Sequence, residues 1–395
     1  MEYRPFTRRK QSFLNNQPEK LSPLRHGVII GLCILIIIAL CYHSGTANAQ
    51  TPSEITPNHP SGNIDLFLPL VSKIARISRN LGQVVVLSTP TDCGGDSCYN
   101  LRVTCPDVLQ SRDASIRVGE PTGSPFAGTI LFATGWTGTY YWGGAPPPIE
   151  ALSAGANPEV IASNNWDIIV ALKAAGFRTV ELKWNTNWFQ AASGVPEGMA
   201  LLACRPATVI RWVYDNLHEG DTSTPYCTTG HSNGASQVSY ALAQYGLSSI
   251  LSAVVNESGP NWTREDDHCI LNSSFPTLFG SPGDRATDDW AFGFPNNATG
   301  PCGTSNEAYR ELFQAASLQS GQQGYSYPHT YVAFLFGELD KTATKAQGQA
   351  FYNFLVPNTP LLSAQVISGA GHDVTGTNDG KQAMEDTLKS VCILH

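Results

Sequence analysis

Charge is scarce in this chain: Asp, Glu, Lys and Arg together make 14% of its 395 residues, against about a quarter in an average globular protein. What charge there is leans acidic, with 24 Lys and Arg against 32 Asp and Glu. Six of the basic and two of the acidic residues lie within the first 49, leaving 18 against 30, or −12, for the remainder. A body of that sign is a poor partner for a polyphosphate, so no nucleic acid is expected as a ligand. HExxH, P-loop and dinucleotide-binding signatures are absent, and neither a metal nor a cofactor is expected. Internal repeats are missing too. The 36 Gly and 26 Pro follow no G-X-Y period, which excludes collagen. Apolar residues are not lacking: 42% hydrophobic and 10% aromatic exclude a chain unable to form a core.

One uncharged apolar run stands out, Val28–Tyr42, behind an amino-terminal stretch carrying Arg4, Arg8, Arg9, Lys10, Lys20 and Arg25. It is short of the roughly 20 residues a membrane helix needs. Ala47-Asn48-Ala49 follows it. Basic region, apolar run and small-residue site together read as a secretory signal over 1–49, cleaved after Ala49; a retained run would act as a membrane anchor instead. The protein is therefore expected outside the cytoplasm, secreted or periplasmic. Eight cysteines remain beyond this segment: Cys93, Cys98, Cys105, Cys204, Cys227, Cys269, Cys302 and Cys392. An even number in an exported chain reads as disulfides. Proximity along the chain suggests Cys269–Cys302 and Cys204–Cys227.

Residues 50–62 are Pro-rich and polar and read as a linker. From Asn63 onward one domain is expected. Apolar strands predicted at 83–87, 99–104, 115–118, 128–133, 178–184, 226–229, 250–255, 331–336 and 364–367 alternate with helical patterns at 168–175, 199–217, 235–245 and 345–355. That alternation implies an α/β fold with a mostly parallel central sheet and helices on both faces. Residues 259–328 interrupt it and read as a lid-like insertion. Within them Glu265-Asp266-Asp267-His268 reads as an exposed acidic loop.

Chemistry concentrates in four places. Gly230-His231-Ser232-Asn233-Gly234 has the G-x-S-x-G pattern between a predicted strand and an Ala-rich helix, the setting in which a serine hydroxyl is thrust out of a sharp turn. A serine needs a base within reach, and the base needs an anion that fixes its tautomer. Gly337-Glu338-Leu339-Asp340 and Gly369-Ala370-Gly371-His372-Asp373 each follow a predicted strand and supply Asp340 and His372 in the required order. Asp284 is a rival acid, but no His-bearing strand follows it at a suitable distance. Thr134-Gly135-Trp136-Thr137-Gly138 follows the apolar strand GTILFA, where a glycine turn can present backbone N–H groups to a developing oxyanion.

With these four landmarks in order, residues 80–395 resemble the α/β-hydrolases, and among them secreted serine esterases, lipases and cutinases. The resemblance implies Ser232 as nucleophile, His372 as base and Asp340 as its acid. It also implies an oxyanion hole formed by the backbone N–H groups of Trp136 and Asn233. The chain departs from many relatives in having Thr134-Gly135 where they carry His-Gly, and from the cutinase-like polyester hydrolases in having Asn rather than Met after the serine. Trp142 and Trp262 are expected to bind substrate, within a rim of Trp136, Tyr140, Tyr141, Trp142, Trp184, Trp188, Trp262 and Trp290, about half of which should be core. The expected activity is hydrolysis of a carboxylic ester (small molecule, lipid or polymer) by a monomeric enzyme. An exopeptidase or amidase of the same fold, and a non-catalytic binding protein, are the alternatives.

Overall fold

The computed structural model describes residues 79–144, 157–294, 299–320 and 325–394. The expected signal segment and linker, and Asn297, lie outside the described residues. Strands β1 (Gln83–Val86), β2 (Thr91–Asp92), β3 (Ser97–Thr104), β4 (Arg112–Gly119), β5 (Gly128–Ala133), β6 (Phe177–Trp184), β7 (Tyr226–His231), β8 (Ala253–Glu257), β9 (Tyr331–Gly337) and β10 (Leu362–Ile367) form one sheet. Their order is β1-β3-β4-β6-β5-β7-β8-β9-β10, with β2 paired to β3. From β6 to β10 every pairing is parallel, while β4 runs antiparallel to both β3 and β6.

The helices that cover the sheet are α1 (Pro158–Ala174), α2 (Cys204–Asn216), α3 (Asn233–Gln244), α7 (Ala343–Leu355) and α8 (Asn378–Val391). Between β8 and β9 lie the short helices α4 (Glu265–Cys269), α5 (Pro282–Asp288) and α6 (Arg310–Ala316). The period-2 alternation of β5 shows why both faces need cover. Leu131 and Ala133 enter one apolar cluster with Val209, Val213 and Val238, while Ile130 and Phe132 enter another with Ile168, Leu172 and Leu388. All six residues of β5 are buried, as expected of a central strand in a parallel sheet. Trp142 and Trp262 do not form a substrate rim. Trp142 is 1% exposed and packs on Phe132 with ring centres 4.9 Å apart; Trp262 is 1% exposed and packs between Trp188 and Phe189. Trp184 and Trp188 are core as well. Apolar volume of that size lowers the free energy most where it leaves water.

Four disulfides join all eight described cysteines: Cys93–Cys98, Cys105–Cys204, Cys227–Cys392 and Cys269–Cys302. The last was expected, but Cys204 pairs with Cys105, not Cys227. Proximity in the chain misled because β3 and α2 meet only across the fold. Cys227–Cys392 spans 165 residues and ties the end of α8 to β7, the strand that carries the serine turn. Long loops restrict the unfolded chain most. Replacing both cysteines with Ala should cost about 2–5 kcal/mol of stability in chemical denaturation.

No described helix is long and apolar enough to cross a membrane. The sequence has four N-x-S/T sequons, at Asn256, Asn261, Asn272 and Asn297; Asn256 and Asn261 are buried, where a glycan cannot reach them in the folded protein.

Candidate active site

β5 lies between β6 and β7, so the chain leaves its carboxyl end in one direction and returns to the other side for β7. Such a switch point opens a crevice at the carboxyl ends of the strands. The Thr134–Gly138 loop follows β5 and Ser232 follows β7, on the two sides of that crevice.

Ser232 is held at φ 54°, ψ −118° between β7 and α3. Positive φ in a residue other than glycine is strained and persists only where the surroundings impose it. Here they do: Ser232 N–H donates to the Glu257 carbonyl at 2.8 Å, and Ala235 N–H donates to the Ser232 carbonyl at 3.0 Å. The flanking glycines are required by close approach. A Cβ on Gly230 would sit 2.2 Å from the Gly234 backbone, and one on Gly234 would sit 2.2 Å from the Ala133 carbonyl oxygen. Gly230→Ala should therefore destabilise the fold by about 3 kcal/mol or more, measured by chemical denaturation.

The three residues singled out from sequence meet. His372 Nε2 lies 3.0 Å from Ser232 Oγ, and His372 Nδ1 lies 2.9 Å from Asp340 Oδ2. Thr342 N–H donates to the other oxygen, Asp340 Oδ1, at 2.9 Å. Burial pushes the Asp340 carboxyl up, but the His372 imidazole and the Thr342 donors outweigh it and hold the group below the ordinary carboxylate range. Asp340 is thus an anion fixed against one nitrogen of His372, and the other nitrogen faces the serine hydroxyl.

Three nearby titratable residues have other partners. Glu338 is exposed and accepts from Ser368 Oγ and Gly369 N–H. Asp284 caps α5 through Ser281. His231 packs with its ring 5.0 Å from that of His372 and its Nε2 3.4 Å from buried Asp373. Trp136 adopts φ 47° after β5. Its carbonyl accepts from Asn233 Nδ2 at 3.0 Å, which ties the two loops together. Asn233 opens α3, so its backbone N–H is among those with no acceptor inside the helix. Both residues line the cleft in front of Ser232 and His372, a space of about 420 Å³. Of the eight expected rim aromatics, Trp136 lines it.

The far wall was not legible in sequence. It is formed by His268, Phe279, Gly280, Ser281, Thr287 and Asp288, with Lys341 at the edge. The acidic stretch 265–268 is not an exposed loop: it is α4, and all four side chains are buried. Neighbouring charges make that possible. Arg264 Nη2 is 2.6 Å from Asp267, Arg310 Nη1 is 3.8 Å from Asp266, and His268 Nε2 is 2.9 Å from Asp288. Burial raises the Glu265 carboxyl well above the ordinary range, and the neighbouring acids Asp288, Asp266 and Asp289 add to it. The grouping of Cys269, Cys302 and Asp288 is no metal site, because those two cysteines are joined in a disulfide.

Strand order, the strained serine turn and the Ser–His–Asp chain together define an α/β-hydrolase fold. The sequence matches no family model and no curated protein. Similar solved structures include a highly thermostable carboxyl esterase from Bacillus coagulans, with 14% identity over 75% of this chain and 99% of the other and a TM-score of 0.44. A putative hydrolase from Legionella pneumophila is 12% identical over 78% of this chain and 97% of the other, with a TM-score of 0.48. The Pyrococcus horikoshii acylaminoacyl peptidase is 12% identical over 77% of this chain and 42% of the other, with a TM-score of 0.44.

Proposed function

We propose that this protein is an exported serine hydrolase that cleaves carboxylic esters through an acyl-enzyme. The observation that carries this reading is the unbroken chain Ser232 Oγ–His372–Asp340 at 3.0 and 2.9 Å on a strained turn facing a cleft. His372 Nε2 takes the Ser232 proton as the oxygen attacks the ester carbonyl. The backbone N–H groups of Trp136 and Asn233 receive the negative charge that develops on the carbonyl oxygen. His372 then returns its proton to the departing alcohol. A water, deprotonated by the same nitrogen, releases the acid and restores the serine. Asp340 keeps the imidazole in the tautomer that has Nε2 free to accept.

The test is hydrolysis of p-nitrophenyl esters from acetate to palmitate, run beside labelling of the folded protein with a fluorophosphonate probe. Ester turnover with labelling of Ser232 is expected. Turnover confined to p-nitroanilides would move the reading to the amidase class, and neither turnover nor labelling would leave a binding protein.

A further inference from the structure

The far wall of the cleft carries polar groups for which the Ser232 chemistry has no use. His268 and Asp288 are 2% and 3% exposed, yet both line the cleft, with His268 Nε2 2.9 Å from Asp288 Oδ2. Burial alone would lower the His268 imidazole, but the Asp288 carboxylate outweighs it and raises the group; burial raises Asp288 in turn. His268 Nδ1 and Nε2 and Asp288 Oδ2 are all buried with no well-aligned hydrogen-bond partner among the described residues. A buried polar atom is costly to leave unmatched. The fold makes room for this ring: a Cβ on Gly280 would lie 2.3 Å from His268 Nε2.

Charges around the cleft balance. Asp284 and Asp288 stand with Lys341 and His268, which favours neither a cationic nor an anionic substrate. Two aromatic side chains line the cleft with the polar groups: Trp136, and Phe279, which is backed by the Arg285 guanidinium 4.4 Å from its ring centre. Trp142, Trp184, Trp188 and Trp262 are withdrawn into the core and add no apolar surface to the cleft. Polar atoms between aromatic faces suit a ring that presents C–H groups on its faces and hydroxyls at its edge.

We propose that this wall is a polyol subsite, and that the ester taken by this protein is an acylated sugar or similar hydroxylated ring. The sugar hydroxyls engage His268 and Asp288, and the ring stacks on Phe279 or Trp136. The proposal rests on the esterase reading of Ser232. An alkyl group in the same place would return no hydrogen bond to His268 and Asp288, the situation in which a site rejects an analogue lacking a hydroxyl most strongly.

The experiment compares kcat/KM for 6-O-acetylglucose and cyclohexylmethyl acetate, esters of similar size that differ in hydroxyls. The wild-type protein should favour the sugar ester by about a hundredfold or more. His268→Leu should narrow that ratio at least tenfold, chiefly through KM for the sugar ester. Where that variant fails to fold, methyl glucoside should still inhibit wild-type turnover of p-nitrophenyl acetate more strongly than cyclohexylmethanol. Equal use of the two esters, a preference for the alkyl ester, or equal inhibition would overturn the subsite while the esterase stands. Loss of p-nitrophenyl acetate turnover and of fluorophosphonate labelling in the wild type would instead overturn the reading of Ser232, and the subsite with it.

Discussion

Ser232→Ala is expected to lose about six orders of magnitude in kcat on p-nitrophenyl acetate, together with all fluorophosphonate labelling. The size follows from what the hydroxyl does. It is the atom that bonds to the acyl group, and neither His372 nor the cleft can stand in for it, so only binding and oxyanion stabilisation are left. Fold and stability should change little, because Ala at φ 54° meets the same backbone restriction as Ser. Ser232→Gly offers a sharper form of the test. Glycine adopts positive φ freely, so this variant should be as inactive as the alanine but more stable, by about 1 kcal/mol in chemical denaturation. Inactivity with a gain in stability is the mark of strain kept for function. Turnover within tenfold of wild type in either variant would exclude Ser232 as the nucleophile.

Asp340→Asn should lower kcat by about 10⁴ with little change in KM. The carboxylate accepts from His372 Nδ1 at 2.9 Å. An amide in its place can donate its own N–H to that nitrogen, moving the ring proton to Nε2, where it blocks acceptance of the serine proton. The same substitution has a pH signature. The folded Asp340 carboxyl lies below its ordinary range. Its contribution to stability is therefore present above that range and lost as pH falls through the lowered value. The Asn variant lacks this contribution, so its denaturation midpoint should fall less than that of wild type between neutral and strongly acidic pH. An unchanged kcat, or acid limbs that superimpose, would show that Asp340 does not orient His372.

Several features of the fold could be read without coordinates because their causes are local. GTILFA predicts a buried central strand, and β5 has those bounds, with every residue buried. The glycines around Ser232 predict a turn too tight for side chains, and the Cβ clashes at Gly230 and Gly234 give the reason. Element edges were less legible. The single helix expected over 199–217 is broken at Ala203 into Met199–Leu202 and Cys204–Asn216, and α1 begins ten residues before the predicted start, at Pro158 capped by Asn157. Helix α8 had no predicted counterpart. Its apolar residues Met384, Leu388 and Val391 are widely spaced in a polar segment and mark a buried face only once the sheet is there to receive them.

Local chemistry, then, decided the alternation of strands and helices, the serine turn, and the acid and histidine placed after the ends of β9 and β10. Turn geometry and hydrophobic period act over a few residues, and the chain order of those residues is enough to state them. The tertiary structure alone decided which tryptophans face the cleft, that Cys105 rather than Cys227 meets Cys204, and that an acidic tetrapeptide is buried. Each of these depends on a partner brought from elsewhere in the chain: Phe132 under Trp142, Arg310 beside Asp266, Asp288 against His268. Burial of a charge or an aromatic ring is settled by what packs on it, and that is a property of the assembled fold.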